Sequence, residues 1–151
     1  MKPRTRARSA ALQALYEVDL TGHPVGTVLQ ERLEESDLDA TLADFTRQIV
    51  LGVWPMVKVL DQFITEHAPE WPMDQVAVID RNILRIALWE FAVNGKTPIK
   101  VAINEAVELA KTFGSDSTPR FVNGVLGSLA NRQNEIRQAM KRYIDEQDQA
   151  N

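Results

Sequence analysis

Apolar residues return every three or four positions along nearly the whole chain, and no stretch between breakers alternates with period two. That pattern builds one buried stripe on a helix and cannot build one buried face on a strand, so it confines the chain to an all-α fold. The longest example is Leu42, Phe45, Ile49, Val53, Val57, Leu60 and Ile64, the seam of a helix packed in a bundle. Gly52 and Pro55 interrupt it. An internal proline removes one backbone bond and clashes with the carbonyl four residues back, which predicts a kink there or a break into two helices.

About seven helices follow from the pattern. The first runs from about Pro3 to Leu20, with Ala7, Ala11, Ala14, Leu15 and Val18 inward, and Thr21-Gly22-His23-Pro24 stops it. A shorter one carries Val28, Leu29 and Leu33, and the acidic stretch Glu34–Asp39 reads as a loop. After the long interrupted helix, Ala68-Pro69-Glu70-Trp71-Pro72 is a clear breaker. It is the expected boundary between an N-terminal half, about 3–67, and a C-terminal half, about 73–148, of a single domain over 1–151. A helix from about Asp80 to Val93 turns Ile83, Leu84, Ala87, Leu88 and Phe91 inward and stops at Asn94-Gly95. Arg85 and Glu90 lie on it among apolar residues, where charges pair with a neighbouring helix.

Thr97–Leu126 reads as two helices with a stop and a restart between them. Thr97 is a good N-cap, Pro98 suits the first helical position, and Gly114 ends the helix. Ser117 can cap the next, with Pro119 early in it, and Phe121, Val122, Val125, Leu126 and Leu129 form its stripe. Gly124 and Gly127 would permit close approach of a backbone or a ligand. Ile136, Met140 and Ile144 mark a last helix, and Gln147–Asn151 should fray.

Chemistry is scarce. With no cysteine there is no disulfide, thiolate metal site or thiol nucleophile, and the simplest location is the cytoplasm. His23 and His67 lack ligand-type partners at helical spacing, and no glycine-rich phosphate loop is present. Glu105 and Glu108 read as a solvated face, with Glu108 near Lys111 as a helix ion pair. No cofactor is implied, no apolar run approaches a membrane span, and no catalytic constellation is found.

Net charge is −4, yet charge is segregated. Lys2, Arg4, Arg6 and Arg8 occupy the first eight residues without an acid among them. Salt screens over about 8 Å, so acids elsewhere do not disable a basic end. Spaced by two, these arginines spread over about 200° of a helix, whereas an extended start could set them on one side. The arm is then either a solubilising terminus or a set of phosphate contacts. Three productive arginines on a single strand would give a salt slope near −2.

Phe113, Arg120, Phe121 and Asn123 cluster in sequence around the junction of the two helices, with Lys111 nearby. Cations, an amide and aromatic rings at such an elbow suit single-stranded RNA. The alternatives are core packing for the rings, above all Phe121, and bracing of the elbow for Asn123. Tyr16, off the main stripe of the first helix, suits a surface contact. Asp80, at a helix start, suits the positive end of the helix dipole.

The blocks VAINEAVELAK and RFVNGVL, with LRIALWE before them and RARSAALQALYEVDL at the start, resemble the NusB family of bacterial transcription antitermination factors. The resemblance spans roughly Arg4 to Leu129. It implies two small helical bundles packed together and a protein that is not an enzyme. It implies binding to boxA single-stranded RNA of ribosomal RNA transcripts together with NusE, a small-subunit ribosomal protein, in an antitermination complex on RNA polymerase. Arg6 and Arg8, then Phe113, Arg120, Phe121 and Asn123, resemble the family's RNA face, and Arg4 belongs to the same arm. Tyr16 and Asp80 resemble its NusE-facing positions. Two other readings are open: the similar front domain of an rRNA cytosine methyltransferase, and a helical homodimer whose interface covers the RNA face.

Overall fold

In the computed structural model, which describes residues 1–150, the periodicity becomes eight α-helices. They are α1 (Pro3–Thr21), α2 (Val25–Glu35), α3 (Ala40–Val53), α4 (Val57–His67), α5 (Val78–Leu88), α6 (Ile99–Phe113), α7 (Thr118–Ala130) and α8 (Gln133–Ala150). No strand occurs among the described residues. The end expected to fray is helical as far as Ala150, and Asn151 lies outside the described residues.

The long interrupted helix is broken. α3 ends at Val53, a tight turn of Trp54–Met56 follows, and α4 restarts at Val57. Pro55 explains the lost backbone bond. Gly52 has a second reason to be glycine: a Cβ there would lie 2.4 Å from the Trp89 ring. The indole therefore packs directly on the α3 backbone.

α5 is the central helix. Every residue from Asn82 to Ala92 is buried, and α1, α4, α6 and α7 pack around it. After Leu88 it widens into π-helical turns over Trp89–Asn94. Widened turns leave carbonyls without their usual donors, and α8 supplies one: Arg137 Nε donates to the Phe91 carbonyl at 3.0 Å. The breaker of residues 68–72 separates α4 from α5, and α1 packs on helices from both sides of it, α2 and α3 before, α5 and α6 after.

Two buried charge clusters hold these helices in register. Arg85 donates to both oxygens of Asp61 at 2.7 Å and to Asp19 at 2.8 Å, while Arg81 forks onto Asp19 at 2.8 and 2.7 Å. α1, α4 and α5 are thereby tied together, and Arg85 is structural, as its apolar surroundings predict. Burial pushes the Asp19 carboxyl up, but bonds from Arg81 and Asn82 and the charges of Arg85 and Arg81 outweigh it and hold it below the usual range.

Candidate nucleic-acid interface

The second cluster sets the geometry of the candidate site. Arg8 is 3% exposed and Glu90 1% exposed. The Arg8 guanidinium donates to Glu90 from Nε at 2.9 and 3.2 Å and from a terminal nitrogen at 2.7 Å. It also stands 3.5 Å from Glu105 of α6. The Thr97 hydroxyl completes Glu90 at 3.0 Å. Thr97 thus serves the core rather than capping α6, which begins at Ile99 with Pro98 as its cap residue. Thr5 donates to Glu105 at 2.7 Å. The start of α1 is clamped onto α5 and α6 by these bonds. Arg8, expected among RNA contacts, is an interior ion pair here, and a guanidinium so enclosed cannot reach a phosphate.

With α1 clamped, its first residues, the outer face of α6 and the start of α7 enclose a groove of about 1010 Å³. Lys2 and Thr5 form one wall, Asn104, Glu105, Glu108 and Lys111 another, and Pro119, Arg120 and Asn123 the third. Three cations face two carboxylates. Glu105 is occupied by Thr5 and Arg8, and Glu108 lies 3.4 Å from Lys111. Among the described residues, Lys2 and Arg120 have no ion-pair partner, and the Asn123 side chain makes no hydrogen bond. The groove therefore offers two free cations and a free amide to a ligand.

The other expected contacts lie elsewhere. The Arg4 guanidinium sits over the Phe45 ring of α3, 3.9 Å from its centroid. Arg6 donates to the Asp37 carbonyl at 2.5 Å. Both reach toward the α2–α3 side of α1, and neither is on the groove wall. Phe113 is half-buried in a second groove, of about 350 Å³, with Tyr16, Leu20 and Ile79. Tyr16 is 36% and Leu20 58% exposed, an apolar surface on the far side of the elbow. The expected grouping of Phe113 with Arg120 and Asn123 is therefore split: α6 turns its last ring toward α1, whereas α7 turns Arg120 and Asn123 the other way.

Phe121 is half-buried and meets Trp71, ring centroids 5.1 Å apart and planes at 77°. The pair lines a third groove, of about 570 Å³, with Asp80, Arg120 and Gly124. Asp80 lies in the first turn of α5, as the dipole argument predicts, and accepts from the Thr118 hydroxyl of α7 at 3.0 Å. Burial pushes its carboxyl above the usual range, only partly offset by Thr118. Ser117 precedes α7 without a side-chain cap; the Thr118 hydroxyl instead accepts from the Ser115 N–H at 2.9 Å. A Cβ on Gly114 would lie 2.5 Å from the Thr118 side chain, so that elbow needs a glycine. Gly124 and Gly127 face open space and bring no backbone close.

Two residues of these grooves went unassigned in the sequence reading. Lys2 was visible as part of the basic run. Trp71 was read only as part of a breaker, although a large ring between two prolines, outside any helical stripe, already asks for a role.

The fold and blocks have counterparts among known proteins. The family model of the NusB family matches residues 5–131. The chain is 51% identical over 131 residues to the transcription antitermination protein NusB of Chloroflexus aggregans, covering 85% of this chain and 87% of that protein. It superimposes on T. maritima NusB with a TM-score of 0.76 at 29% identity, over 91% of this chain and 92% of that one. It is similar also, with a TM-score of 0.76 at 25% identity, to a chain in a crystal structure of antitermination factors NusB and NusE in complex with double-stranded RNA. That match covers 92% of this chain and 98% of the other.

Proposed function

The chain belongs to the NusB family, and on that footing we propose that it is a transcription antitermination factor that binds boxA-type single-stranded RNA of ribosomal RNA transcripts together with NusE. It works within an antitermination complex on RNA polymerase, in the bacterial cytoplasm. The observation that carries this reading is the groove where Lys2, from one end of the chain, meets Arg120 and Asn123, from the other, all three without internal partners. The cations take phosphates and the amide a base edge. Phe121 adds a stacking ring at the groove's end. Arg4 and Arg6 flank the groove as further phosphate contacts once they leave Phe45 and Asp37. Arg8 positions the arm and touches no RNA.

The apolar surface of Tyr16, Leu20, Ile79 and Phe113 takes the protein partner, with Asp80 at its border. RNA and partner thus occupy different faces. Joint binding then gains from effective concentration without new contacts within this chain.

The test compares affinities for boxA RNA, a scrambled strand and a duplex of the same sequence, with and without NusE. We expect a preference for the boxA single strand that NusE strengthens. Lys2→Ala with Arg120→Ala should flatten the salt dependence by about 1.4, two phosphates at about 0.7 each for a single strand. An unchanged slope would remove this groove from the RNA path, and a preference for the duplex would overturn the single-strand reading.

A further inference from the structure

We propose that Trp71 and Phe121 form a second nucleotide subsite, a corner that stacks one base of the strand passing Arg120. The inference rests on the RNA-binding reading above and adds a residue to it. Trp71 lies in the segment between α4 and α5 and is 48% exposed, although a ring of its size is normally covered. Its aromatic contact is with Phe121, at 5.1 Å and 77°. Two rings at right angles leave faces uncovered by one another, and an uncovered aromatic face is what an unstacked base needs.

The surroundings select a base over other occupants. Arg120 lines both this groove and the main one, so a strand in the main groove reaches the corner with a phosphate held between them. Glu70 and Asp80 stand on the corner's wall and repel phosphate, which leaves the base to enter. Gly124 presents bare backbone there; even a Cβ would meet nothing within 4 Å. The opening beside α7 is thus free for a flat ligand. A protein side chain would suit the apolar rings equally, but it would have no use for the free cation shared with the RNA groove.

The experiment uses the full chain with a short single-stranded boxA RNA and a series of the same RNA with single abasic positions. Trp71→Ala should lower affinity roughly 5- to 150-fold, the range of one lost base stack, and Trp71→Phe should restore most of it. Gly124→Leu should also weaken binding while thermal stability holds or rises, so misfolding cannot explain the loss. One abasic position should hurt the wild type and leave Trp71→Ala unaffected. If the RNA binds through Lys2 and Arg120 yet all these variants bind as the wild type does, the corner is refuted and the RNA reading stands. If the wild type does not prefer boxA RNA over a scrambled strand, with or without NusE, both fall. If Trp71→Ala weakens NusE binding alone, the groove is a protein contact and the proposal is overturned.

Discussion

Replacing Arg8 with alanine separates an architectural arginine from an RNA-binding one. Its guanidinium makes three hydrogen bonds of 2.7 to 3.2 Å to Glu90, a carboxylate 1% exposed. Without it, Glu90 keeps only the Thr97 hydroxyl, and a charge stays buried without its counterion. Breaking a buried pair from one side costs about 3–5 kcal/mol. At this chain length each kcal/mol moves Tm by about 2–4 °C, so Arg8→Ala should lower Tm by roughly 6–20 °C. Urea unfolding followed by circular dichroism measures the loss. Replacing both partners together, Arg8→Met with Glu90→Leu, should recover most of it, because no charge is then stranded. At a temperature where Arg8→Ala remains folded, the salt dependence of RNA binding should match the wild type. A stability loss under about 1 kcal/mol, with the slope flattened by about 0.7, would show that Arg8 contacts a phosphate and refute the reasoning.

Three further outcomes follow from the packing. Gly52→Ala should destabilise by about 1–3 kcal/mol through overpacking on Trp89, against the gain that alanine normally gives a helix; a raised urea midpoint would contradict the contact. The two perturbed carboxyls should act oppositely with pH. Asp19, held low in the folded state, supports stability above the ordinary carboxylate range and loses that support as pH falls through its folded value. Asp80, pushed up, favours folding most below the ordinary range and loses that contribution as pH rises through its folded value. Asp80→Asn should therefore be more stable than the wild type near neutral pH, with the difference shrinking in acid; a pH-independent difference would show that Asp80 ionises freely. Tyr16→Ala should weaken NusE binding and leave RNA binding by the isolated protein unchanged, and equal affinity for NusE would move the partner surface elsewhere.

Local chemistry decided much of this protein. Spacing by three and four, the prolines at 55, 69 and 72, and the glycines at 22 and 114 were enough to read an all-α chain and most helix limits, because those preferences act within a few residues. The same reading found Arg85 structural, since a charge inside an apolar stripe must pair. The RFVNGVL and VAINEAVELAK blocks marked the family. Which functional side chains share a surface was beyond that reach. In sequence, Arg4, Arg6 and Arg8 look equivalent, and Phe113 looks like a companion of Asn123. Only helix packing turns Arg8 inward to Glu90, lays Arg4 on Phe45, sends Phe113 toward Tyr16, and brings Lys2 across to Arg120. The reason is geometric: one residue rotates a helical side chain by about 100°, so its direction is set by periodicity, but what it meets there depends on a helix up to a hundred residues away.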